Sequence, residues 1–518
     1  MSNWRAWPQW PWAICALVVA VQLGAAAFGP YGWFIDELYY RACASRLAWG
    51  YVDHPPLSVA VLAVSRALFG DSLVVLRVWP ALAVAGAALL SGKLAQRLGG
   101  GLFARSLAVV CVLSSPVVLV LGSFFSMNSF ELLSWPACAL VFVELLEAGG
   151  ALWLAFGGLL GLAVLNKHTS ATFGAALLLG SLFTPARAQL RTRWPWLGGL
   201  VAALVVLPNV LWQMSHDWPS LEFYERAQDL KNIHTPALQV LAGQVLVMGP
   251  AAVPIAILGV AALLRDRSRK GSLALGTGYL LLLAALILSH SSRSDRLVAY
   301  YPIVFAAGAA ALERTTRARF RWVGPTALGL ILLGALALAP VTVPVFSPPR
   351  VAAYAAAIGI VPQIEKNRQS ALPQWFADRL NWPDFVADVA RVYRALPVEE
   401  QAHARIFAPS YGEAGALERW GPALGLPPVL CNHNTYYLWS QSYLAASESQ
   451  APEQARQAVL ISVGMPPDVL KRWFERVEVV ATFRCEYCID WRRERVIAVA
   501  RAARGPLLQF WPELKHFE

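Results

Sequence analysis

"FIDELYYRACASRLAWGYVDHPPL", residues 34–57, decides how this chain is read. It follows an apolar run at 10–29 and leads into "SVAVLAV", another apolar stretch. Asp36, Glu37, Asp53 and His54 therefore crowd, with Tyr39, Tyr40 and Tyr51, onto a link between two apolar segments. From Asp36 to Trp49 the spacing is helical, with Leu38, Ala42, Ser45 and Trp49 on one side and Arg41 and Arg46 on another. Gly50 would end such a helix. Asp36 and Tyr40 stand four apart and share a face. "PPLSVAVLAVSRALFG" predicts a second helix with prolines in its first turn. Both segments are expected to lie along the membrane surface rather than span it. A plain reading exists for each acid. Asp36 caps a helix, Glu37 pairs with Arg41, and Asp53 and His54 shape a turn. Against it stands the crowding itself, because ionisable groups at the lip of an apolar bundle are functional candidates by default.

Composition supplies the bundle. Of 518 residues 57% are hydrophobic and 14% charged, where a soluble domain carries about a quarter charged residues. Such a chain reads as a polytopic membrane protein. Its N-terminal apolar stretch exceeds a secretory h-region and more spans follow, so a retained first helix is expected. Apolar runs sit near 10–29, 73–92, 104–122, 129–146, 151–166, 169–184, 195–213, 237–264, 273–289, 299–312 and 322–346. Each approaches the roughly 20 residues a span needs, which gives about 11 transmembrane helices.

Charge then orients them. Arg5; Lys93, Arg97 and Arg105; Arg187, Arg191 and Arg193; Arg265, Arg267, Arg269 and Lys270; and Arg314, Arg317, Arg319 and Arg321 fall on one side if the chain crosses twice between clusters. That side is cytoplasmic by the positive-inside rule. The N-terminus is then inside, while the first outer loop at 30–72, with its two interfacial helices, and the loops at 213–236 and 289–298 are outside. Residues 347–518 are outside too. They hold 19 basic and 18 acidic residues, so all but one of the +11 net charges belong to the membrane part and call for no nucleic-acid partner.

Residues 1–346 read as the transmembrane catalytic module and 347–518 as an extracytoplasmic α/β domain. In the latter, "WPDFVADVARVYRALPVEE", "GEAGALERWGPALG" and "PPDVLKRWFERV" read as helices, and "ARIFAPS", "AVLISVG", "EVVATF" and "RVIAVAR" as strands. No phosphate-binding glycine loop accompanies them. Cys15, Cys111 and Cys138 lie in apolar runs as small core residues. Cys485 and Cys488 form a lone CxxC, too few ligands for structural zinc, which leaves a local disulfide or two free thiols.

Further polar groups fall on the outer side. "NKHTS" places Lys167 and His168 where an apolar run breaks, either as a snorkelling lysine or as a cation for a lipid phosphate. "SHSSRSDRLVAYYP" adds Arg293, Arg296, Tyr300 and Tyr301, against the positive-inside trend. Asn128 and Glu131 sit at an outer hairpin, His216 and Asp217 in the third outer loop. Carboxylates beside phosphate-binding cations, with no nucleotide motif, suit a lipid-phosphate sugar. A carboxylate base would activate an acceptor hydroxyl while cations stabilise the departing phosphate. Asp36, Glu37, Asp53 and His54 are also a candidate set for a divalent cation.

Four strings in this order, "FIDELYY", "VDHPPL", "LLGLAVLNKHTS" and "AYYPIVFAAGAAALER", resemble the membrane-embedded GT-C glycosyltransferases. The likeness is to the protein O-mannosyltransferase and aminoarabinose lipid A transferase superfamily. It covers roughly residues 30–345. It implies a polyprenyl-phosphate sugar donor, inversion at the anomeric carbon, and a cell-envelope lipid, glycan or protein as acceptor, at the bacterial plasma membrane. Asp36 falls on the family's catalytic acid, with Glu37 beside it, and Tyr40 on its tyrosine. The donor phosphate is expected near Asp53, His54, Lys167, His168, Arg293, Arg296, Tyr300 and Tyr301. Two departures stand out. His54 replaces a family Lys, and Tyr39 replaces an Arg. The C-terminal strings "FAPSYGEAGALERWGPALGLPP" and "NHNTYYLW" resemble the outer domains of uncharacterised bacterial relatives. His433, Asn434, Tyr436 and Trp439, with Asn128, Glu131, His216 and Asp217, are candidate sugar or acceptor contacts. The alternative from another class is a transporter or flippase for a lipid-linked glycan, which would favour inverted repeats and charges at mid-membrane. Neither is visible in the sequence.

Overall fold

In the computed structural model, residues 9–266, 269, 271–291, 293–316, 321–359, 365–366, 368–450 and 458–518 are described. Arg5, Arg267, Lys270, Arg317 and Arg319 of the basic clusters lie outside them. The chain divides into two compact units. Unit 1 is Met1–Pro30, His54–Met214 and Ile233–Phe346; unit 2 is Tyr31–Asp53, Ser215–Asn232 and Ser347–Glu518. Pieces of two segments between apolar helices therefore count with the C-terminal residues.

Unit 1 is helical. Among the described residues, five helices are long and apolar enough to cross a membrane: Gln9–Phe28, Leu73–Arg97, Met127–Ala148, Arg193–Ser215 and Val323–Thr342. Leu57–Phe69, Leu102–Leu113, Leu152–Asn166 and Ser272–Leu288 are shorter apolar helices. Two runs that read as single spans are broken. The 237–264 run becomes Ala237–Met248 and Pro250–Arg265, bent by 96°, because Gly249 adopts a left-handed φ of 90° and Pro250 follows it. The 104–122 run stops at Leu113 and resumes at Pro116. Pro80, Pro136, Pro208 and Pro340 sit inside the long helices, as membrane helices tolerate. Val253–Arg265 crosses Tyr301–Thr316 closely at Gly308, where a methyl group would meet the Ile255 carbonyl. Arg269 and Arg314 both border Gly99, two residues beyond Arg97, so three of the basic clusters meet at one end of the unit.

Unit 2 carries one five-stranded mixed sheet: β1 (Ala404–Phe407), β2 (Val429–Leu430), β3 (Val459–Val463), β4 (Phe474–Arg484) and β5 (Glu494–Ala503), in the order β2-β1-β3-β5-β4. β1 pairs parallel with β2 and β3, and β5 antiparallel with β3 and β4. β3 is buried along its whole length, as a central strand should be. "PPDVLKRWFERV" is mostly not a helix. Helix ends at Leu470 and β4 begins at Phe474, where alternation takes over from the proline-started turn. The strand at Val429 and the helix Thr435–Gln450 were not read from the sequence. Phe407, Leu460, Trp473 and Trp511 lead the core under this sheet. Cys485 and Cys488 form a disulfide.

The first helix expected at the membrane surface is Ile35–Ala44, shorter than expected, ending at Ser45 rather than Gly50. The second is Leu57–Phe69, with Pro56 just before it instead of in its first turn.

Candidate active site

In unit 2, the Ile35–Ala44 helix is built for burial. Its start is held by Glu37, whose Oε2 accepts from the Phe34 N–H at 2.8 Å, and Glu37 is fully buried. This is half of a capping box. Against the helix lies Tyr411–Trp420. A Cβ on Gly415 would come within 2.9 Å of the Leu38 backbone, so only glycine permits this approach. The approach sets Tyr411, the first residue of that helix, over Asp36. The Tyr411 hydroxyl donates to Asp36 Oδ1 at 2.9 Å.

Asp36 is half-buried. Burial raises its pKa above the ordinary carboxylate value, with Lys231, the Tyr411 hydrogen bond and Arg368 opposing the rise and Glu365 adding to it. The cations stand one layer back. Arg368 Nε pairs with Glu365 at 2.9 Å and its Nη1 with Asp378 at 3.0 Å. Lys231 lies 3.7 Å from Glu365. Asp378 is pushed up to about 6 by burial, against the pull of Arg368 and Arg492. Asp36 thus sits in a positive field without a salt bridge among the described residues.

Beside it, the Tyr39 hydroxyl donates to Asp53 Oδ1 at 2.7 Å and lies 2.7 Å from Thr435 Oγ1, which accepts from the Val52 N–H. Rings continue from Tyr39 to Tyr411 (4.8 Å) and Tyr436 (6.0 Å), and from Tyr411 to His433 (4.6 Å). Tyr40 is buried in the same helix. Asn434 is buried and donates to the Glu518 carbonyl. Trp439 packs edge-on against Tyr436 and carries Arg46 over its face at 4.6 Å. His216 and Asp217 are exposed at the turn before Pro219, and the structure gives them no contact with Asp36.

In unit 1, the "NKHTS" break does separate two helices. Lys167 donates to Glu131 Oε2 at 2.7 Å, and the Thr169 hydroxyl bonds the other oxygen. Glu131 is 1% exposed and Lys167 16% by side chain, so two residues expected to meet different parts of the substrates meet each other. Asn128 is half-buried at the start of Met127–Ala148. His168 contacts Asn209 at 3.0 Å and lies within electrostatic reach of His54. His54 itself is buried, its Nδ1 3.1 Å from the Pro55 carbonyl. Arg293 grips Asp295 with two bonds of 2.9 Å, and Lys167 and Arg296 share the field at Asp295. Tyr300 and Tyr301 are fully buried; their hydroxyls donate to the Leu275 carbonyl and Gln244 Oε1, each at 2.7 Å.

The candidate cation set is not gathered. Glu37 holds a helix start and Asp53 a tyrosine. The three ligand-type side chains that do converge among the described residues are His433, His516 and Glu518.

Residues 53–212 match the dolichyl-phosphate-mannose-protein mannosyltransferase family. A lipid A galacturonosyltransferase, RgtD of Rhizobium johnstonii, is 28% identical over 194 residues, which is 37% of this chain and 40% of that protein. The chain thus aligns with well under half of that relative. Among solved structures, ArnT from Cupriavidus metallidurans in the apo state superposes with a TM-score of 0.60 at 17% identity, covering 94% of this chain and 97% of ArnT. The same protein bound to undecaprenyl phosphate gives 0.56 at 16%, with the same coverage. The Archaeoglobus fulgidus oligosaccharyltransferase gives 0.51 at 14%, covering 89% of this chain and 70% of that one. The chain is a multi-pass membrane protein with the GT-C fold. Its fold is similar to that of ArnT, and its residues 53–212 carry the mannosyltransferase-family match.

Proposed function

We propose that this protein is an inverting glycosyltransferase that moves a sugar from a polyprenyl-phosphate donor to a cell-envelope lipid, glycan or protein on the outer face of the bacterial plasma membrane. Asp36 is the general base. The carrying observation is its setting: a half-buried carboxylate held by one tyrosine hydroxyl, with a raised pKa and cations a layer behind. Such a group is basic enough to take a proton and is not neutralised by a salt bridge. The fold of ArnT, a protein solved with undecaprenyl phosphate, and the partial match to a lipid A galacturonosyltransferase support a lipid-phosphate donor.

The acceptor hydroxyl gives its proton to Asp36 as its oxygen attacks the anomeric carbon. The bond from that carbon to the phosphate oxygen breaks, its electrons leave on the polyprenyl phosphate, and configuration inverts. Glu37 and Tyr39 are positioning residues, since each holds local structure. Lys167, Arg293 and Arg296 of unit 1 are the cations assigned to the lipid phosphate. The test is Asp36→Asn in purified, reconstituted protein with a polyprenyl-phosphate sugar pool. Transfer is expected to vanish while insertion and melting temperature persist. Full transfer by the variant would remove Asp36 as the base, and translocation of donor without glycosidic bond formation would favour a flippase instead.

A further inference from the structure

Two imidazoles and a carboxylate converge in unit 2. One ligand atom each from His433, His516 and Glu518 lies within 4.8 Å of the other two. His516 Nε2 stands 3.1 Å from Glu518 Oε1. The rings of His433 and His516 are 4.9 Å apart by centroid. His433 is only 6% exposed.

The backbone holds this arrangement in place. Residues 433 and 516 form an isolated parallel bridge. The Asn434 N–H donates to the His516 carbonyl at 2.9 Å, and the His516 N–H to Asn432 at 3.1 Å. The Asn434 side chain clasps Glu518, donating to its carbonyl at 3.2 Å and accepting from its N–H at 3.1 Å. Asn434 takes a left-handed φ of 46° to do so, a conformation asparagine tolerates. Three ligand-bearing positions are therefore fixed before any ligand arrives.

We infer that His433, His516 and Glu518 form a binding site for a divalent transition metal of the zinc class. Around a tetrahedral zinc with bonds of about 2.0 Å, ligand atoms stand roughly 3.3 Å apart, so side-chain rotation alone closes the triad. Two imidazoles and one carboxylate suit zinc and its transition-metal neighbours, not magnesium or calcium, which take oxygen ligands. Three protein ligands leave a fourth position open to water or a substrate oxygen. Lys231 lies within electrostatic reach of both His433 and Glu518. Its charge opposes a dication, but it is shared with Glu365, and Glu518 brings the compensating carboxylate. The His433 ring packs at a tilt of 45° against Tyr411, whose hydroxyl holds Asp36. An ion here braces the ring that positions the proposed base. The inference does not depend on the transferase reading, because metal content is measured without turnover.

The experiment uses the tag-free full chain in detergent, stripped with chelator and dialysed against buffered submicromolar zinc. Mass spectrometry of metal content should give about one zinc per chain, the stoichiometry of a single three-ligand site. Cobalt in its place should show the visible bands of a tetrahedral ion without thiolate charge transfer. His516→Ala and Glu518→Gln, both at half-buried positions, should weaken binding beyond the about 10–100-fold that loss of an outer-shell partner costs. Melting temperature of the metal-free variants should match that of metal-free wild type. Wild type without zinc above background overturns the site, leaving an ordinary His516–Glu518 ion pair. Zinc retained equally by both variants also overturns it, since the ion would then sit elsewhere.

Discussion

Two carboxylates in this molecule, one buried and one half-buried, are treated in opposite ways. Glu131 of unit 1 is sealed against Lys167 and Thr169, a salt bridge of 2.7 Å with the acid 1% exposed. Asp36 of unit 2 receives a single tyrosine hydroxyl, while Arg368 and Lys231 are tied to Glu365 behind it. Both oxygens of Glu131 are engaged, one by the Lys167 ammonium and one by the Thr169 hydroxyl. An acid in a positive field but without direct pairing keeps its lone pairs for chemistry. The same residue types thus make a clamp in one unit and a candidate catalyst in the other. From the sequence alone, Asp36 is expected to be the catalytic acid and Glu131 a sugar or acceptor contact.

The contrast breaks most visibly at the two acids. Asp36→Asn should lower kcat/KM by about 10²–10⁴-fold, the usual contribution of a positioned base, with no loss of melting temperature. Lys167→Met should do the reverse in part. Removing one partner of a buried pair costs about 3–5 kcal/mol, read as a large fall in melting temperature in detergent. Replacing both partners, Lys167→Met with Glu131→Leu, should restore most of that stability. If the double variant is stable and still transfers sugar, Lys167 is a clamp only and the phosphate contact belongs to Arg293 and Arg296. If it is stable but inactive, Lys167 serves both ends.

Tyr411→Phe acts on the unpaired acid. A hydrogen bond to a charged group contributes about 1.5–3 kcal/mol, so turnover near neutral pH should fall, though less than in Asp36→Asn. The pH profile is the sharper readout. Asp36 must be ionised to act, so activity is lost as pH falls through its pKa, already above the ordinary carboxylate value because of burial. The Tyr411 bond lowers that pKa. Without it the acid limb of the profile should move to higher pH. An unmoved acid limb would mean that another group sets it.

The legible part of this molecule was local. Apolar length gave the helical unit, and alternation gave β1, β3, β5 and the second half of β4, because each signal lies within one stretch of chain. "NKHTS" was readable as a helix break for the same reason. The 96° bend at Gly249–Pro250 carried its own signal, a Gly-Pro pair inside an apolar run, which length alone had overridden. The surroundings of Asp36 were not legible. Tyr411 lies 375 residues away, and Lys231, Arg368 and Asp378 come from two further segments. Nothing in "SYGEAG" marks its tyrosine as a partner of an acid in "FIDELYY". Only the packing of two helices brings them together. Tyr300 and Tyr301 are read as substrate contacts from their placement in the sequence and from the family resemblance, and the direction of their hydroxyls, to the Leu275 carbonyl and Gln244, carries no local signal. Exposure, which decides between such roles, is a tertiary property.

That packing supplies the smallest and most pointed prediction. Gly415 has a Cβ position 2.9 Å from the Leu38 backbone, and real side-chain carbons do not sit so close. Gly415→Ala must push the Tyr411–Trp420 helix away from Ile35–Ala44. Overpacking of this kind costs about 1–3 kcal/mol, and alanine's better helix propensity returns up to about 1 kcal/mol of that. The net stability change is therefore small. The displacement, however, falls on the bond between Tyr411 and Asp36, one turn before Gly415. Gly415→Ala should then reproduce the acid-limb shift of Tyr411→Phe although no group touching substrate has changed. In the double variant Gly415→Ala/Tyr411→Phe the two shifts should not add, because both remove the same hydrogen bond. Additive shifts would show that the helix contact reaches Asp36 by another route, through Arg368 or Lys231.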